Sequence, residues 1–191
     1  LRRLRGRTFG ILGLGRIGSA VVLRAKSLGM DVAFYDPYVP DGMDKALGVR
    51  RAESLGDLLA CADILSIHCP GTEETCGLIG ADAISQLPRG AFLVNTARGS
   101  ITDPQAVVDA LADGRLAGAA IDVLPEEPPS EDAAFLRAWR DPSHPASSRL
   151  ILNPHSAFYC EEGLDDMRIK GSENCRRALL GQPLRNIVNG L

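Results

Sequence analysis

A glycine-rich turn near the start of the chain constrains its fold more than any other feature. Residues 13–18, Gly-Leu-Gly-Arg-Ile-Gly, follow a short apolar run at 9–12 and precede a helical pattern. Gly13 lets the backbone turn sharply, Gly15 lets a pyrophosphate approach the backbone closely, and Gly18 lets the following helix pack against the strand. The pattern therefore predicts a strand, a tight turn and a helix, as in dinucleotide-binding domains.

The same turn predicts which ligand this first unit binds. A helix N-terminus carries unpaired N–H groups and a partial positive charge, so it holds a phosphate without a Lys or Arg. A second predicted strand at 31–35 leads to Asp36, whose carboxylate is placed to accept hydrogen bonds from both ribose hydroxyls of an adenosine. That carboxylate repels a 2′-phosphate, and no basic residue lies between Asp36 and Lys45. We therefore expect NAD rather than NADP; the alternative is an ordinary glycine-rich turn.

Length and charge limit the classes of protein to consider. A chain of 191 residues with 45% apolar residues fits one domain, or one domain plus part of another. The net charge of −3 provides no basic field for nucleic acid. A dense basic cluster at Arg2, Arg3, Arg5 and Arg7 is interpreted as a solvated helix end, with phosphate binding as the alternative.

Cysteine content and hydropathy indicate a location. The five cysteines are an odd number without a Cys-x-x-Cys pair, which argues against both a disulfide framework and a zinc site, so no metal is expected. No apolar run approaches the roughly 20 residues that span a bilayer, and no signal peptide is evident. We expect a soluble, cytoplasmic protein without a membrane partner.

Apolar runs alternate with helical patterns along the rest of the chain. Further strands are predicted at 62–67, 91–94, 116–123 and 150–152. Ser54 and Asp57 are predicted to cap one helix, and Asp103 with Pro104 is predicted to begin another. This alternation predicts an α/β protein with a doubly wound parallel sheet, a Rossmann fold in three α/β/α layers, whose ligand lies beyond the carboxyl ends of the strands.

Two further segments are interpreted from their composition. Residues 125–148 contain five prolines and lack sustained periodicity, so they are expected to form a surface excursion with a short helical stretch at 133–139. Residues 161–180 are predicted to form a final helix, which ends before Gly181 and Pro183.

Polar side chains follow three of the predicted strands. Arg98, Glu127 and His155 each come after a strand, so all three are expected at one edge of the sheet. A histidine exchanges a proton near neutral pH, a carboxylate beside it fixes its tautomer, and an arginine binds a carboxylate through two hydrogen bonds. Beside a nicotinamide this set suits the reduction of a 2-oxo acid. Taken singly, each residue has an ordinary alternative explanation. Arg98 is then part of an ion pair at a helix end, Glu127 an acidic residue of a polar loop, and His155 a surface histidine.

The order of the motifs resembles a known family. The glycine-rich turn is followed by Asn-Thr-Ala-Arg-Gly at 95–99, Ala-Ile-Asp-Val at 120–123 with Glu127-Pro128, and Asn-Pro-His-Ser-Ala at 153–157. This order is similar to that of the D-isomer-specific 2-hydroxyacid dehydrogenases. Within this family, the chain most resembles the branch that contains the C-terminal-binding proteins. The residues that carry this resemblance are 34–38, 89–94 and 155–159.

The resemblance implies roles for individual residues. It implies that Arg98, Glu127 and His155 form the catalytic trio, with Glu127 rather than Glu126 because the family's acid directly precedes a proline. The implied NAD-binding set is Gly13, Gly15, Arg16, Ile17, Gly18, Asp36, Cys69, Pro70, Thr75, Thr96, Ala97, Asp122 and Ala157. Asp122 is expected near the nicotinamide carboxamide, whereas His68 is interpreted as structural. The implied partners are a small 2-oxo or 2-hydroxy acid and a second copy of the chain.

The chain also departs from the family pattern. Phe158 stands where the animal corepressors of the branch have a tryptophan, and residues 141–149 lengthen the interval between Glu127 and His155, either as a lid or as decoration. Family members carry roughly a hundred residues before this point. We therefore expect 1–191 to be the NAD-binding domain, with 160–191 as a return helix and tail towards a substrate-binding lobe that this chain lacks, and poor activity without that lobe.

Two functions remain open from the sequence. One is the cofactor domain of an NAD-dependent 2-hydroxyacid dehydrogenase, and the other is an NAD(H)-sensing binding module of corepressor type with little turnover. The corepressors of this branch keep the trio, so its presence does not separate the two. A Rossmann domain of an unrelated hydrolase or ligase leaves the ordered Arg98, Glu127 and His155 unexplained.

Overall fold

The computed structural model describes residues 3–187, which form two compact units that meet in sequence at His155 and Ser156. The first unit contains a sheet of seven parallel strands. These strands are β1 (Thr8–Leu12), β2 (Asp31–Tyr35), β3 (Arg50–Arg51), β4 (Ile64–Ile67), β5 (Ala91–Asn95), β6 (Leu116–Ile121) and β7 (Leu150–Leu152). Its helices are α1 (Arg16–Ser27), α2 (Met43–Leu47), α3 (Leu55–Cys61), α4 (Ala81–Gln86), α5 (Pro104–Ala112) and α6 (Ala134–Arg140), with a 3₁₀ turn at Gly99–Ile101.

The order of the strands places a crevice next to the glycine-rich turn. The sheet runs β3-β2-β1-β4-β5-β6-β7, so the chain builds outward from β1 in one direction and then returns to add β4 on its other side. At such a switch point the loops after the two central strands part, and ligands bind between them. The predicted doubly wound parallel sheet is confirmed.

Apolar side chains of alternate residues pack on opposite faces of the sheet. In β1, Ile11 belongs to a core cluster with Val22 of α1, whereas the adjacent Leu12 belongs to a larger cluster with Leu58 of α3 and Leu111 of α5. Successive side chains of a strand point to opposite faces, so helices cover both faces and the architecture has three layers.

Short polar residues begin the helices where the sequence predicts them. The Ser54 hydroxyl accepts a hydrogen bond from the Asp57 N–H at 3.1 Å and donates one to the Asp57 carboxylate at 2.7 Å. Asp103 caps α5 by accepting from the N–H groups of Gln105 and Ala106, and Pro104 occupies the first turn. These caps satisfy N–H groups that have no partner within the helix.

The basic cluster at the start of the chain is not a helix end. Arg2 lies outside the described residues, and residues 3–7 form a turn that leads into β1. Arg7 pairs with Asp63 at 3.1 Å, and its carbonyl accepts from the Asp31 N–H at 3.0 Å. The helix prediction was wrong because these residues extend the pairing of β1 with its neighbours instead.

The surface excursion predicted for 125–148 is partly incorrect. Phe135, Leu136 and Ala146 are buried in the larger core cluster, and α6 packs against α5. The Trp139 indole N–H donates to the Leu150 carbonyl at 3.0 Å and so ties the segment to β7. The sequence did not predict that these apolar residues are buried. The prolines interrupt the periodic pattern from which a buried helix is recognised.

The second unit consists of α7 (Glu161–Leu179) and the segment that follows it. Gly181, with a φ of 64°, turns the chain after the helix, as predicted. The Asn174 side chain then exchanges two hydrogen bonds with the Arg185 backbone, at 3.0 and 3.1 Å. Within residues 3–187, no helix has the length and apolar character needed to cross a membrane.

Candidate dinucleotide and acid–base site

Each glycine of the turn meets a different steric requirement. Gly13 has a φ of 94°, and a Cβ built on it would lie 2.5 Å from the backbone nitrogen of Cys69. A Cβ on Gly18 would lie 2.2 Å from the Gly13 carbonyl oxygen, so α1 packs directly on the turn. A Cβ on Gly15 would meet nothing within 4 Å, which leaves space above the backbone there.

The start of α1 has the features of an anion-binding helix end. Gly15 is its N-cap, and neither a capping side chain nor an acidic residue occupies the first turn. Arg16 is the first helical residue, and the Ile17 side chain beside it is 64% exposed. The first N–H groups of a helix lack intrahelical partners and attract phosphate. With the open space at Gly15, these residues fit the pyrophosphate of a dinucleotide.

Asp36 connects the glycine-rich turn to the end of β2. Its Oδ2 accepts a hydrogen bond from the Leu14 N–H at 2.7 Å, and its Oδ1 accepts one from the Tyr38 N–H at 2.9 Å. Each carboxylate oxygen has a second acceptor position. The orientation imposed by the backbone therefore leaves capacity for ribose hydroxyls.

A cleft of about 800 Å³ lies between the glycine-rich turn, the end of β2 and the loop after β4. Five of the predicted NAD-binding residues line it, namely Gly13, Asp36, Cys69, Pro70 and Thr75. Tyr38, Glu73 and Glu74 also line it, and sequence reasoning did not assign them to the site. The signal for Glu73 and Glu74 was their position in the polar stretch after the predicted strand at 62–67. Arg98 was singled out because it too follows a predicted strand.

A buried asparagine shapes the turn after β5. The Asn95 side chain accepts a hydrogen bond from the Ala97 N–H at 2.9 Å and donates to the Arg98 carbonyl at 3.0 Å and to Thr102 at 3.1 Å. Thr96 and Arg98 are exposed on this turn. A fully buried amide with its polar atoms engaged makes the turn well defined and fixes the backbone that carries the arginine.

Loops that follow two neighbouring strands pack against the Arg98 turn. A Cβ on Gly71, in the loop after β4, would lie 3.0 Å from Arg98 Cγ, so this loop touches the stem of the arginine. A Cβ on Gly99 would lie 1.9 Å from the carbonyl carbon of Leu124, in the loop after β6. Glycine at both positions brings the three loops into contact.

His155 and Glu127 form the central polar pair of the site. His155 Nδ1 lies 2.7 Å from Glu127 Oε2, and the Leu124 N–H donates to Glu127 Oε1 at 2.7 Å. The hydrogen bond from His155, and to a smaller extent that from Leu124, lowers the pKa of Glu127 below its ordinary value. An ionised Glu127 accepts a hydrogen bond from the Nδ1–H group, which favours the tautomer of His155 that carries its proton on Nδ1.

The backbone holds the histidine in an uncommon conformation. His155 has a φ of 53°, and its N–H donates to the Asp122 carbonyl at 2.8 Å, next to the end of β6. Asp122 itself is only 3% exposed. Left-handed backbone at a residue other than glycine is costly and persists where surrounding contacts enforce it, often at functional sites.

His68 and Cys69 have structural environments. His68 Nε2 lies 2.9 Å from the hydroxyl of the buried Ser66, and burial lowers the pKa of His68. Burial raises the pKa of the Cys69 thiol to about 11, so the thiol stays protonated near neutral pH. The bond to Ser66 and the burial of the ring agree with the interpretation of His68 as structural.

The remaining predicted residue, Ala157, lies in the second unit, as does Phe158. The roles of Arg98, Glu127, His155 and the NAD-binding set stay predictions. What the structure brings to one edge of the sheet is the glycine-rich turn, a cleft of about 800 Å³, an arginine and a His–Glu pair. A parallel sheet with this edge defines a dinucleotide-binding domain of the dehydrogenase type.

The chain belongs to the D-isomer-specific 2-hydroxyacid dehydrogenase family, because residues 1–157 match the family's NAD-binding domain. The D-3-phosphoglycerate dehydrogenase of Methanocaldococcus jannaschii is 34% identical over 97% of this chain and 34% of its own length. C-terminal-binding protein 1 of Caenorhabditis elegans is 35% identical over 98% of this chain and 25% of its own length. The predicted family resemblance and the NAD cofactor are thus confirmed, and the chain spans about a third or a quarter of these relatives.

Solved structures support the same assignment. The D-mandelate dehydrogenase of Rhodotorula graminis superposes with a TM-score of 0.85 at 28% identity, over all of this chain and 53% of that protein. A D-lactate dehydrogenase of Treponema pallidum superposes with a TM-score of 0.82 at 35% identity, over 98% of this chain and 57% of that protein. A family member from Lactobacillus delbrueckii, solved as its NAD complex, gives a TM-score of 0.80 at 28% identity, over 98% of this chain and 58% of that protein.

Alanine at Gly15 is expected to weaken NAD binding without affecting folding. The φ of −75° at Gly15 suits alanine, and the new methyl group meets only the space that a pyrophosphate needs. We expect Gly15→Ala to keep the thermal unfolding midpoint and to raise the NADH Kd by roughly tenfold or more, about 1.4 kcal/mol. Calorimetric titration and thermal unfolding measure the two effects.

The matched variant Gly18→Ala should behave in the opposite order. Its methyl group overlaps the Gly13 carbonyl, so the variant loses stability by about 1–3 kcal/mol before any effect on the cofactor. Unchanged NADH affinity in a folded Gly15→Ala protein would contradict the placement of the pyrophosphate.

Removal of the imidazole at 155 is expected to raise the pKa of Glu127. His155 favours the ionised carboxylate, so in the native protein the pair persists as the pH falls through the ordinary glutamate value of 4.5, and it is lost only at lower pH. His155→Asn suits the left-handed backbone and should move the Glu127 midpoint upward. Carbon-13 NMR titration of the carboxyl group measures this midpoint. His144→Asn is the control, and a midpoint that His155→Asn leaves in place would refute the pairing.

Proposed function

We propose that this chain is the cofactor domain of an NAD-dependent D-2-hydroxyacid dehydrogenase, which transfers a hydride between NAD(H) and a small 2-oxo or 2-hydroxy acid. The observation that carries the proposal is the 2.7 Å contact between His155 Nδ1 and Glu127 Oε2 at the sheet edge that holds the phosphate-binding turn. A proton-exchanging pair beside a nicotinamide site is what reduction of a ketone requires.

The glycine-rich turn holds the cofactor's pyrophosphate, and Asp36 holds its adenosine ribose. When bound, NAD supplies the hydride-carrying nicotinamide. The other proposed contacts are Arg16 and Ile17 at the start of α1, Cys69, Pro70 and Thr75 in the cleft, Thr96, Ala97 and Asp122 after β5 and β6, and Ala157. The open space at Gly15 and the free lone pairs of Asp36 support this placement.

His155 holds the exchangeable proton at Nε2. Glu127 fixes the tautomer by accepting from Nδ1, and its ionised state stabilises the imidazolium that forms when Nε2 takes a proton. In the reducing direction, the imidazolium donates this proton to the substrate oxygen. The hydrogen bond from the Leu124 N–H keeps Glu127 oriented while the charge on the ring changes.

Arg98 binds the substrate carboxylate. Its planar guanidinium suits two parallel hydrogen bonds to the carboxylate and polarises the adjacent ketone. The Asn95 network that fixes its backbone, and the close approach of Gly71 to its side chain, support a role that needs precise placement. A loop arginine without a ligand would need neither constraint.

Residues 160–191 form a return helix and tail towards a substrate-binding lobe, with residues 1–191 as the NAD-binding domain. The solved relatives named above are nearly twice as long as this chain, which leaves room for such a lobe in them. Closure of a lobe excludes water and completes substrate positioning. The 191 residues alone should therefore bind NAD and turn over slowly.

Association into a homodimer through the cofactor domains is part of the proposal. A groove of about 590 Å³ on the first unit is lined mainly by apolar atoms of Leu4, Ile64, Phe92 and Ala117. Phe92 is 41% exposed, and Ile151 nearby on the sheet is 62% exposed. Exposed apolar patches of this kind are typical of protein interfaces.

A cytoplasmic location is proposed from the cysteines. All five are free thiols, and Cys76, Cys160 and Cys175 are exposed. Exposed thiols persist in a reducing compartment. The net charge of −3 supports the absence of a direct nucleic-acid partner.

A second candidate function is an NAD(H)-sensing binding module with little turnover. The similarity to C-terminal-binding protein 1 of C. elegans favours this candidate, since that relative is named for binding rather than for catalysis. The polar pair would then stabilise the cofactor-bound form instead of exchanging protons with a substrate.

Steady-state oxidation of NADH separates the two functions. Glyoxylate, hydroxypyruvate and pyruvate are offered to the protein with its substrate-binding lobe, and we expect turnover with at least one of them. Absence of turnover with all three, together with cofactor-dependent self-association in sedimentation, would favour the binding module. Turnover by the 191 residues alone at rates of roughly 10 s⁻¹, ordinary for enzymes, would refute the need for a lobe.

Substitution of Arg98 by lysine is expected to impair both substrate binding and chemistry. Lysine presents a point charge without the planar fork, so the KM for the 2-oxo acid should rise and kcat should fall. The matched control is Arg137→Lys, since Arg137 is bonded to the Asp132 carbonyl away from the cleft. An unchanged KM in Arg98→Lys would remove the arginine from this role.

A further inference from the structure

The loop after β4 presents two glutamates to the nucleotide cleft. Glu73 and Glu74 both line the cleft that Asp36 also lines. Thr75 orders the loop, because its hydroxyl donates to the Pro70 carbonyl at 2.7 Å and accepts from the Thr72 N–H at 2.9 Å. The acidic pair is therefore carried on a folded turn and faces the space beside the glycine-rich turn.

Tyr38 fixes the position of one of these carboxylates. Its phenol hydroxyl donates a hydrogen bond to Glu74 Oε2, and the contact joins the segment after β2 to the loop after β4. The Tyr38 N–H is bonded to Asp36, so one residue links both carboxylates. The hydrogen bond to Glu74 and the charge of that carboxylate raise the pKa of Tyr38, which keeps the phenol protonated as the donor.

The charge of the cleft is negative. Asp36, Glu73 and Glu74 line it, and no lysine, arginine or histidine is among the described residues that do so. The thiol of Cys69 at the base of the cleft responds to this field, because the charges of Asp36 and Glu74 add to burial in raising its pKa. The charges of Glu74 and Asp36 therefore act on the same group in the cleft, the thiol of Cys69.

We propose that Glu74, held across the cleft by Tyr38, is a second specificity-determining carboxylate that excludes nucleotides with a 2′-phosphate. The inference rests on the proposed binding of the adenosine ribose at Asp36. A 2′-phosphate there enters the field of two carboxylates that line the same cleft and are both bonded to Tyr38, and like charges repel. The ribose hydroxyls of NAD are neutral and meet no such penalty.

Glu74 and Asp36 contribute to selectivity by different means. Asp36 both accepts hydrogen bonds from the ribose hydroxyls and repels a 2′-phosphate, whereas Glu74 acts on charge alone and needs no contact with the ribose. Removal of Glu74 should therefore improve NADPH binding while leaving NADH binding unchanged. Removal of Asp36 should weaken NADH binding, while the charge of Glu74 still opposes the binding of NADPH.

Titration of the full chain with NADH and NADPH tests the proposal. The variants are Glu74→Gln, Asp36→Asn, their combination and Tyr38→Phe, with Glu131→Gln as the control for loss of an exposed carboxylate outside the cleft. We expect Glu74→Gln to lower the NADPH Kd roughly three- to tenfold and to change the NADH Kd less than about twofold, a size typical of one nearby charge. Tyr38→Phe frees the carboxylate and should give part of this effect.

The outcomes separate the inference from the proposed function. Equal changes in both Kd values for Glu74→Gln, or an unchanged NADPH Kd, would overturn the role of Glu74 and leave cofactor binding intact. A native chain that binds neither nucleotide would overturn the proposed function together with the inference. A shift as large in Glu131→Gln as in Glu74→Gln would assign the effect to net charge and also overturn it.

Discussion

The close packing of Gly13 against the backbone that follows β4 underlies the whole site. The turn fits only because position 13 lacks a side chain and adopts a left-handed conformation, with the Cys69 nitrogen where a Cβ would stand. This contact positions the turn at the switch point of the sheet. The position of the turn then determines where α1 begins and where the cleft lies. The Asp36 carboxylate reinforces it by accepting from Leu14 within the same turn.

The parallel sheet brings residues that are distant in sequence close together at one edge. Residues that follow β2, β4, β5, β6 and β7 are far apart in the chain, yet each lies just beyond the carboxyl end of its strand. The proposed contacts with the adenosine and the pyrophosphate lie around β1, β2 and β4, and the proposed chemistry lies around β5, β6 and β7. The loop after β4 belongs to both regions, since it lines the cleft and also touches the stem of Arg98.

Much of this arrangement could be predicted from the sequence because glycine, proline and capping residues act locally. The turn at 13–18, the cap at Asp103 and the strand ends before Arg98 and His155 each depend on a few neighbouring residues. Short elements such as α2, α4 and the two-residue β3 were missed, since they have too few residues to show a period. Tyr38 and Glu74 were missed for another reason: their significance arises from a contact between residues 36 positions apart.

The glycine at 99 has a mechanical consequence. Its backbone packs closely against Leu124 and Pro125, so the loops that follow β5 and β6 are expected to move together. A displacement of the turn that carries Arg98 would therefore also move the loop that carries Glu127, the hydrogen-bond partner of His155. The spacing between the proposed substrate-binding arginine and the proposed acid–base pair would then be preserved when this edge of the sheet moves.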